Sequence, residues 1–176
     1  MHSIRASGTE RRLLVAGDWH NLNPIPATSD QQPVTSNHQP ATGPSELILA
    51  RVDALRRCDF GLVYDSYHPE SNFRRQFPDR EEYIRHGWAH LGKEFRIRSC
   101  SIIREEGDAT SARVIFWLEF DLHGASQGYA ELAWLEQDRE GWRYRCGQKL
   151  TAGELPVPAA RLDFSHFDRL AEKVIY

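Results

Sequence analysis

Two histidines four residues apart, His86 and His90, have the spacing with which one face of a helix can hold a zinc ion. Gly87, however, stands where an HExxH site carries its general-base glutamate, and no third ligand is identifiable. No metal and no cofactor are therefore expected. A second group, Tyr64, Asp65, Tyr67 and His68, lies just ahead of Pro69. His68 is its one group that titrates near neutrality, so His68 and Asp65 are the candidates for acid–base work. The competing reading is that Tyr64 is a core residue and His68 precedes a turn at Pro69. Cys58, Cys100 and Cys146 show no CxxC spacing and read as free thiols, without zinc knuckle or disulfide framework.

The elements that must position these groups begin late. Pro24, Pro26, Pro33, Pro40 and Pro44 sit among Asn, Gln, Ser and Thr, so residues 1–44 read as a disordered polar leader. Residues 45–176 are long enough for one domain with its own core. The only apolar run near the N-terminus, Leu13 to Ala16, is too short for a secretory signal. No stretch approaches the roughly 20 apolar residues of a membrane span, and a cytoplasmic protein is expected. A net charge of −3, with arginines interleaved among acids, argues against a nucleic-acid partner, and without a membrane span no membrane partner is expected. The local cluster Arg74, Arg75, Arg80 and Arg85 reads as a solvated loop and helix face.

Pro44 and Ser45 open a first helix with the apolar stripe Leu47, Ile48, Ala50, Val52, Ala54 and Leu55. Asp59 caps a second, which stops before Pro69. Residues 70–78 read as extended, holding Phe73 and Phe77. Asp79 and Glu82 then form a capping-box-like start for a third helix, ended by Gly92. A final extended stretch with Pro156 and Pro158 leads to a helix capped by Ser165, with Phe167, Leu170, Ala171 and Val174 on one side.

Four strand-like segments lie between. In 112–122, Val114, Phe116, Leu118, Phe120 and Leu122 alternate with Ile115, Trp117, Glu119 and Asp121, and the even face is the core. A three-residue loop at His123, Gly124 and Ala125 would set Leu118 opposite Ala130, Phe116 opposite Leu132 and Val114 opposite Trp134. A two-residue loop would bring Glu131 beside Phe116 in the core, so the three-residue loop is expected. Trp142, Tyr144 and Cys146 then share the inner face, with Cys100 and Cys146 on one row about 14 Å apart, too far for a disulfide. An extra residue near Arg98 or Ser99, a β-bulge, would bring Phe95 and Ile97 into phase with Cys100 and Ile102. The expected fold is α+β: three N-terminal helices on the concave face of a curved antiparallel sheet, a cone, with a C-terminal helix.

The run Leu49-Ala50-Arg51, Asp59, the segment Tyr67-His68-Pro69-Glu70-Ser71 and the terminal Gly141-Trp142-Arg143-Tyr144 resemble the central domain of the YchJ-type bacterial proteins. That domain lies within the nuclear transport factor 2-like, or cystatin-like, superfamily. The resemblance spans about residues 45–150. It implies a cone fold and an uncharacterised activity; the cysteine-rich SEC-C zinc segments that usually flank this domain are absent here.

Function follows from which groups face inward. An apolar pocket lined by Tyr64, Trp88, Trp134, Tyr144 and Gln148 is expected, with Glu131, Glu119 and Asp121 outside and Glu136 at the rim. Cone-fold enzymes of the ketosteroid isomerase and SnoaL type need an inward carboxylate as base, and this register supplies none. A ligand-binding or protein-interaction module is thus the first reading. The alternative is a SnoaL-like isomerase, hydratase or hydrolase acting on a small apolar molecule through His68 or Asp65. Ile115, Trp117, Tyr129 and Leu135 on the outer face suit a homodimer interface, or a surface covered by the leader or the C-terminal segment.

Overall fold

The computed structural model describes residues 41–92 and 95–168. The leader expected over 1–44 lies outside these residues except for its last four, as do Leu170, Ala171 and Val174.

Helix α1 spans Pro44–Arg56, with Pro44 in its first turn, where a missing N–H costs nothing, and Glu46 accepting from the Thr42 backbone N–H at 2.9 Å. It buries Leu47, Ile48, Val52 and Ala54. Helix α2, Phe60–Asp65, is capped as expected by Asp59, whose carboxylate accepts from Leu62 N at 3.0 Å. Helix α4, Arg80–His90, starts on Asp79, which accepts from the N–H groups of Glu81 and Glu82 at 2.8 and 3.1 Å.

The stretch expected to be extended holds a further short helix, α3, Asn72–Gln76. Ser71 accepts from Arg74 N at 3.2 Å, and the turn delivers Phe73, 3% exposed, into an aromatic cluster. Phe73 stacks on Tyr67 at 3.8 Å between ring centroids and meets Tyr83 edge-on at 5.0 Å. Capping and one buried ring decide this segment where length and propensity did not.

Strands β1 Phe95–Gly107, β2 Ser111–Leu122, β3 Ala125–Asp138 and β4 Gly141–Thr151 form an open antiparallel sheet in sequential order. The chain is therefore α+β, with several helices and a four-stranded sheet. The β1–β2 register shifts between Ile97 and Ser99, which is the bulge expected near Arg98, and Cys100 and Ile102 fall into line with Leu118 and Phe116.

The β2–β3 register differs from the expected one. The loop has two residues: Leu122 pairs with Ala125, and His123 and Gly124 take φ of 51° and 76°. Two successive left-handed residues match the twist of the strands they join, which a longer loop does not need to do. Every partner of β2 consequently moves by one: Leu118 faces Tyr129, Phe116 faces Glu131 and Val114 faces Ala133. A one-residue slip exchanges the faces of β3, so Tyr129, Glu131, Ala133 and Leu135 join the even residues of β2.

Gly124→Ala isolates this turn. A Cβ there meets no atom within 4 Å, so the cost is conformational only. We expect urea unfolding to show a loss of about 1 kcal/mol with the m-value unchanged.

The opposite face of the sheet is covered. Ile115, Ala130, Leu132 and Leu150 pack with Leu162 and Phe167 from the C-terminal segment, and Leu155, Val157 and Phe164 close over them. Arg104 fixes the segment by donating from Nε to Leu162 O at 2.9 Å, and the Arg113 guanidinium lies 4.6 Å from the Phe164 ring centroid. The segment ends in α5, Ser165–Asp168.

Candidate functional site

Glu131 lies in mid β3, 4% exposed, on the face that also carries Phe116 and Tyr129. An isolated carboxylate in such a place is costly, and two neighbours on β4 offset the cost. Tyr144 donates its hydroxyl to Oε1 at 2.5 Å, and the Lys149 ammonium lies 3.5 Å from Oε2. Lys149 is directly across the ladder from Glu131 and also faces the Tyr129 ring at 4.9 Å.

Tyr144 reaches Glu131 because β4 is irregular there. The β3–β4 register shifts after Trp134, with Leu135 paired to Tyr144 and Trp134 to Cys146, so Arg145 is the extra residue of a bulge. Gly147 then clears the space: a Cβ on it would lie 1.9 Å from the Tyr144 hydroxyl oxygen and 2.8 Å from Glu131 Oε1. The strand is also tied to the turn after α2. Tyr144 N donates to Ser66 O and His68 N donates to Tyr144 O, both at 2.9 Å.

Arg51 of α1 completes the cluster. Its guanidinium carbon lies 4.1 Å from the Tyr67 ring centroid and 4.3 Å from that of Tyr144. Nη1 donates to Ser66 Oγ and, at 3.4 Å, to Val63 O. Burial works against its charge, but Tyr67, Tyr144 and Glu131 outweigh that and hold the guanidinium above its ordinary value. The phenols are shifted the same way: burial, reinforced by the Glu131 carboxylate, pushes Tyr144 and Tyr129 well above 10, and burial raises Tyr67. All three are neutral hydroxyls over the physiological range. Among the described residues, the charged groups gathered here are Arg51, Lys149 and Glu131.

The residues expected to form one pocket are divided by this register. Tyr144 is in the cluster, whereas Tyr64 is buried nearby, donating to Phe77 O at 2.8 Å. Trp134 and Gln148 lie on the opposite sheet face, paired to Cys146 and Leu132, and Trp88 on α4 is 39% exposed. Cys100 and Cys146 likewise sit on opposite faces, and all three cysteines are free.

Asp65 is not an interior acid. It faces outward and forms a two-point ion pair with Arg80 at 2.8 and 2.9 Å. His68 is at the rim among charges: Nδ1 accepts from Glu70 N at 3.1 Å and lies 2.9 Å from Arg145 Nη1, while Nε2 is 3.5 Å from Glu136. The expected outer patch is also divided. Tyr129 and Leu135 are buried on the inner face, and Ile115 and Trp117 pack beneath the C-terminal segment.

Arg51, Glu131, Lys149 and Gly147 were not among the residues singled out. The available signal was Gly147, a lone glycine inside a strand, which marks a bulge or a close approach.

No family model and no curated protein matches the chain. Its fold is similar to that of a SEC-C motif containing protein from Rhodopseudomonas palustris, with TM-score 0.51 and 21% identity over 62% of this chain and 80% of the other. A putative Ca/calmodulin-dependent kinase II association domain from Exiguobacterium sibiricum gives TM-score 0.44 and 13% identity over 61% of this chain and 88% of the other.

Proposed function

We propose that residues 45–176 form a single cone-type domain of the nuclear transport factor 2-like superfamily, of the YchJ kind, that binds a small molecule between its helices and its sheet. The observation that carries this reading is the burial of Glu131 together with Lys149 and Arg51. Apolar residues of the same size would hold the fold at lower cost, so a charged cluster in this position is better explained by what it binds. The likeness in fold to a SEC-C motif containing protein supports the YchJ kinship. Three free thiols suit a reducing compartment, and among the described residues no helix is long and apolar enough to cross a membrane.

Glu131 also favours a second reading, an isomerase, hydratase or hydrolase of the SnoaL type. Its base would be Glu131 rather than Asp65 or His68, with Tyr144 as the neutral hydrogen-bond donor. Solvent deuterium entering an enolisable ketone with the wild-type chain, but not with Glu131→Gln, would select this reading.

Native mass spectrometry under gentle and denaturing conditions tests the first reading. A small molecule retained by the wild-type chain and by the surface variant Asp65→Asn, and lost from Arg51→Gln, is expected. A ligand-free dimer would favour an interaction module instead. Such a dimer would have to use a surface other than Ile115 and Trp117, which the C-terminal segment covers.

A further inference from the structure

We propose that His68 is an acid-released latch between the turn after α2 and β4, and that its release loosens the strand segment that seats Tyr144 on Glu131. His68 Nδ1 lies 2.9 Å from Arg145 Nη1 and 3.1 Å from Glu70 N. Both neighbours are donors, since neither a guanidinium nor a peptide N–H can accept. Nδ1 is therefore the bare nitrogen, and the ring proton sits on Nε2, which lies 3.5 Å from Glu136 Oε2. The turn, β4 and β3 thus agree on one tautomer of the neutral ring.

An imidazole is the side chain that takes up a proton on mild acidification, and here a second proton has only Nδ1 to go to. It would turn an acceptor into a donor that faces two donors, one of them a cation. Among the described residues, the charged groups gathered at the ring are Arg145 from β4, Glu70 from the turn and Glu136 from β3. Glu136 can hold the imidazolium at Nε2, and Glu70 and Glu136, at 3.7 and 3.6 Å from Arg145, can hold the guanidinium without the ring. The contact at Nδ1 is therefore the one that gives way. Its place makes the break count. His68 N donates to Tyr144 O and Tyr144 N donates to Ser66 O, both at 2.9 Å, so the ring closes over the backbone tie between turn and strand. Arg145 is the extra residue of the β4 bulge that turns the Tyr144 hydroxyl toward Glu131, and a ring that holds Arg145 also holds the bulge.

Nuclear magnetic resonance of the full chain tests this. At about pH 7.5 the ring-nitrogen spectrum of His68 should show Nδ1 bare and Nε2 protonated. From there to about pH 5, the protection of the His68 and Tyr144 N–H groups against hydrogen exchange should fall about tenfold, the effect of losing one hydrogen bond to a charged group. His68→Asn sets an amide oxygen where Nδ1 stands and cannot take up a proton, so the fall should vanish there with every carboxylate still in place. A proton found on Nδ1 at about pH 7.5 would overturn the latch, as would a fall of less than about threefold in the wild-type chain. The same fall in His68→Asn would also overturn it, by assigning the effect to the carboxylates. Should His68→Asn fail to fold by circular dichroism, Arg145→Met carries the test. With no cation at Nδ1 the fall should shrink to less than about threefold, and a fall as large as in the wild-type chain overturns the proposal.

Discussion

Glu131→Ala is expected to destabilise the domain by about 3–5 kcal/mol in urea unfolding, the range for removing one partner of a buried ion pair. The loss comes less from the vanished pair than from what it leaves. The Lys149 ammonium, its side chain 14% exposed, loses the Glu131 charge, and the Tyr144 hydroxyl loses its acceptor. The cost therefore belongs to the groups left behind. Removing them together, in Glu131→Met with Lys149→Met and Tyr144→Phe, should restore most of the stability. If Glu131→Ala changed stability by less than about 0.5 kcal/mol, as surface substitutions do, the carboxylate would have to be solvated.

Gly147→Ala should be nearly as damaging, at about 2–4 kcal/mol, for a steric reason. The new methyl carbon would overlap the Tyr144 hydroxyl oxygen, and Tyr144 cannot retreat easily. Its backbone is bonded to Ser66 and His68, and its ring packs edge-on against Tyr67 at 5.2 Å. Adding Tyr144→Phe removes the clashing atom, so the double variant should recover part of the loss. This non-additivity is the signature of two groups sharing one space. Equal costs in the single and double variants would mean that the strand, not the hydroxyl, resists the methyl group.

Much of the architecture was legible. Asp59 and Asp79 announce helix starts because an acceptor is needed just there, and the five-fold alternation from Val114 to Leu122 defines a half-buried strand with its inner face. The out-of-phase residues of β1 pointed to the bulge at Arg98. What escaped was the register of β3. From Tyr129 to Leu135 the strand is apolar on both faces apart from Glu131, since both faces are buried, one of them beneath the C-terminal segment. Alternation then carries no information about which face is which. The one polar residue suggested the wrong choice, because a carboxylate is placed in solvent by default.

The turn held the better signal. Gly124 directly after His123 suits two left-handed residues, and the twist it imposes outweighed the cost of burying one glutamate that had partners waiting on β4. The site was illegible for the same reason. Arg51 lies 80 residues before Glu131, and the β3–β4 pairing with its bulge at Arg145 brings Lys149 and Tyr144 around the carboxylate. The assumption that an interior is apolar failed at Glu131.

The most direct measurement is a nuclear Overhauser spectrum of the isotopically labelled chain, read at the ring protons of Phe116, which faces Glu131 across β2 and β3. Cross-peaks to the methylene protons of Glu131 are expected, with none to the Leu132 methyl groups. Strong cross-peaks to Leu132, with Glu131 showing none, would mean a three-residue turn and a carboxylate in solvent, and the site built around Glu131 would not exist.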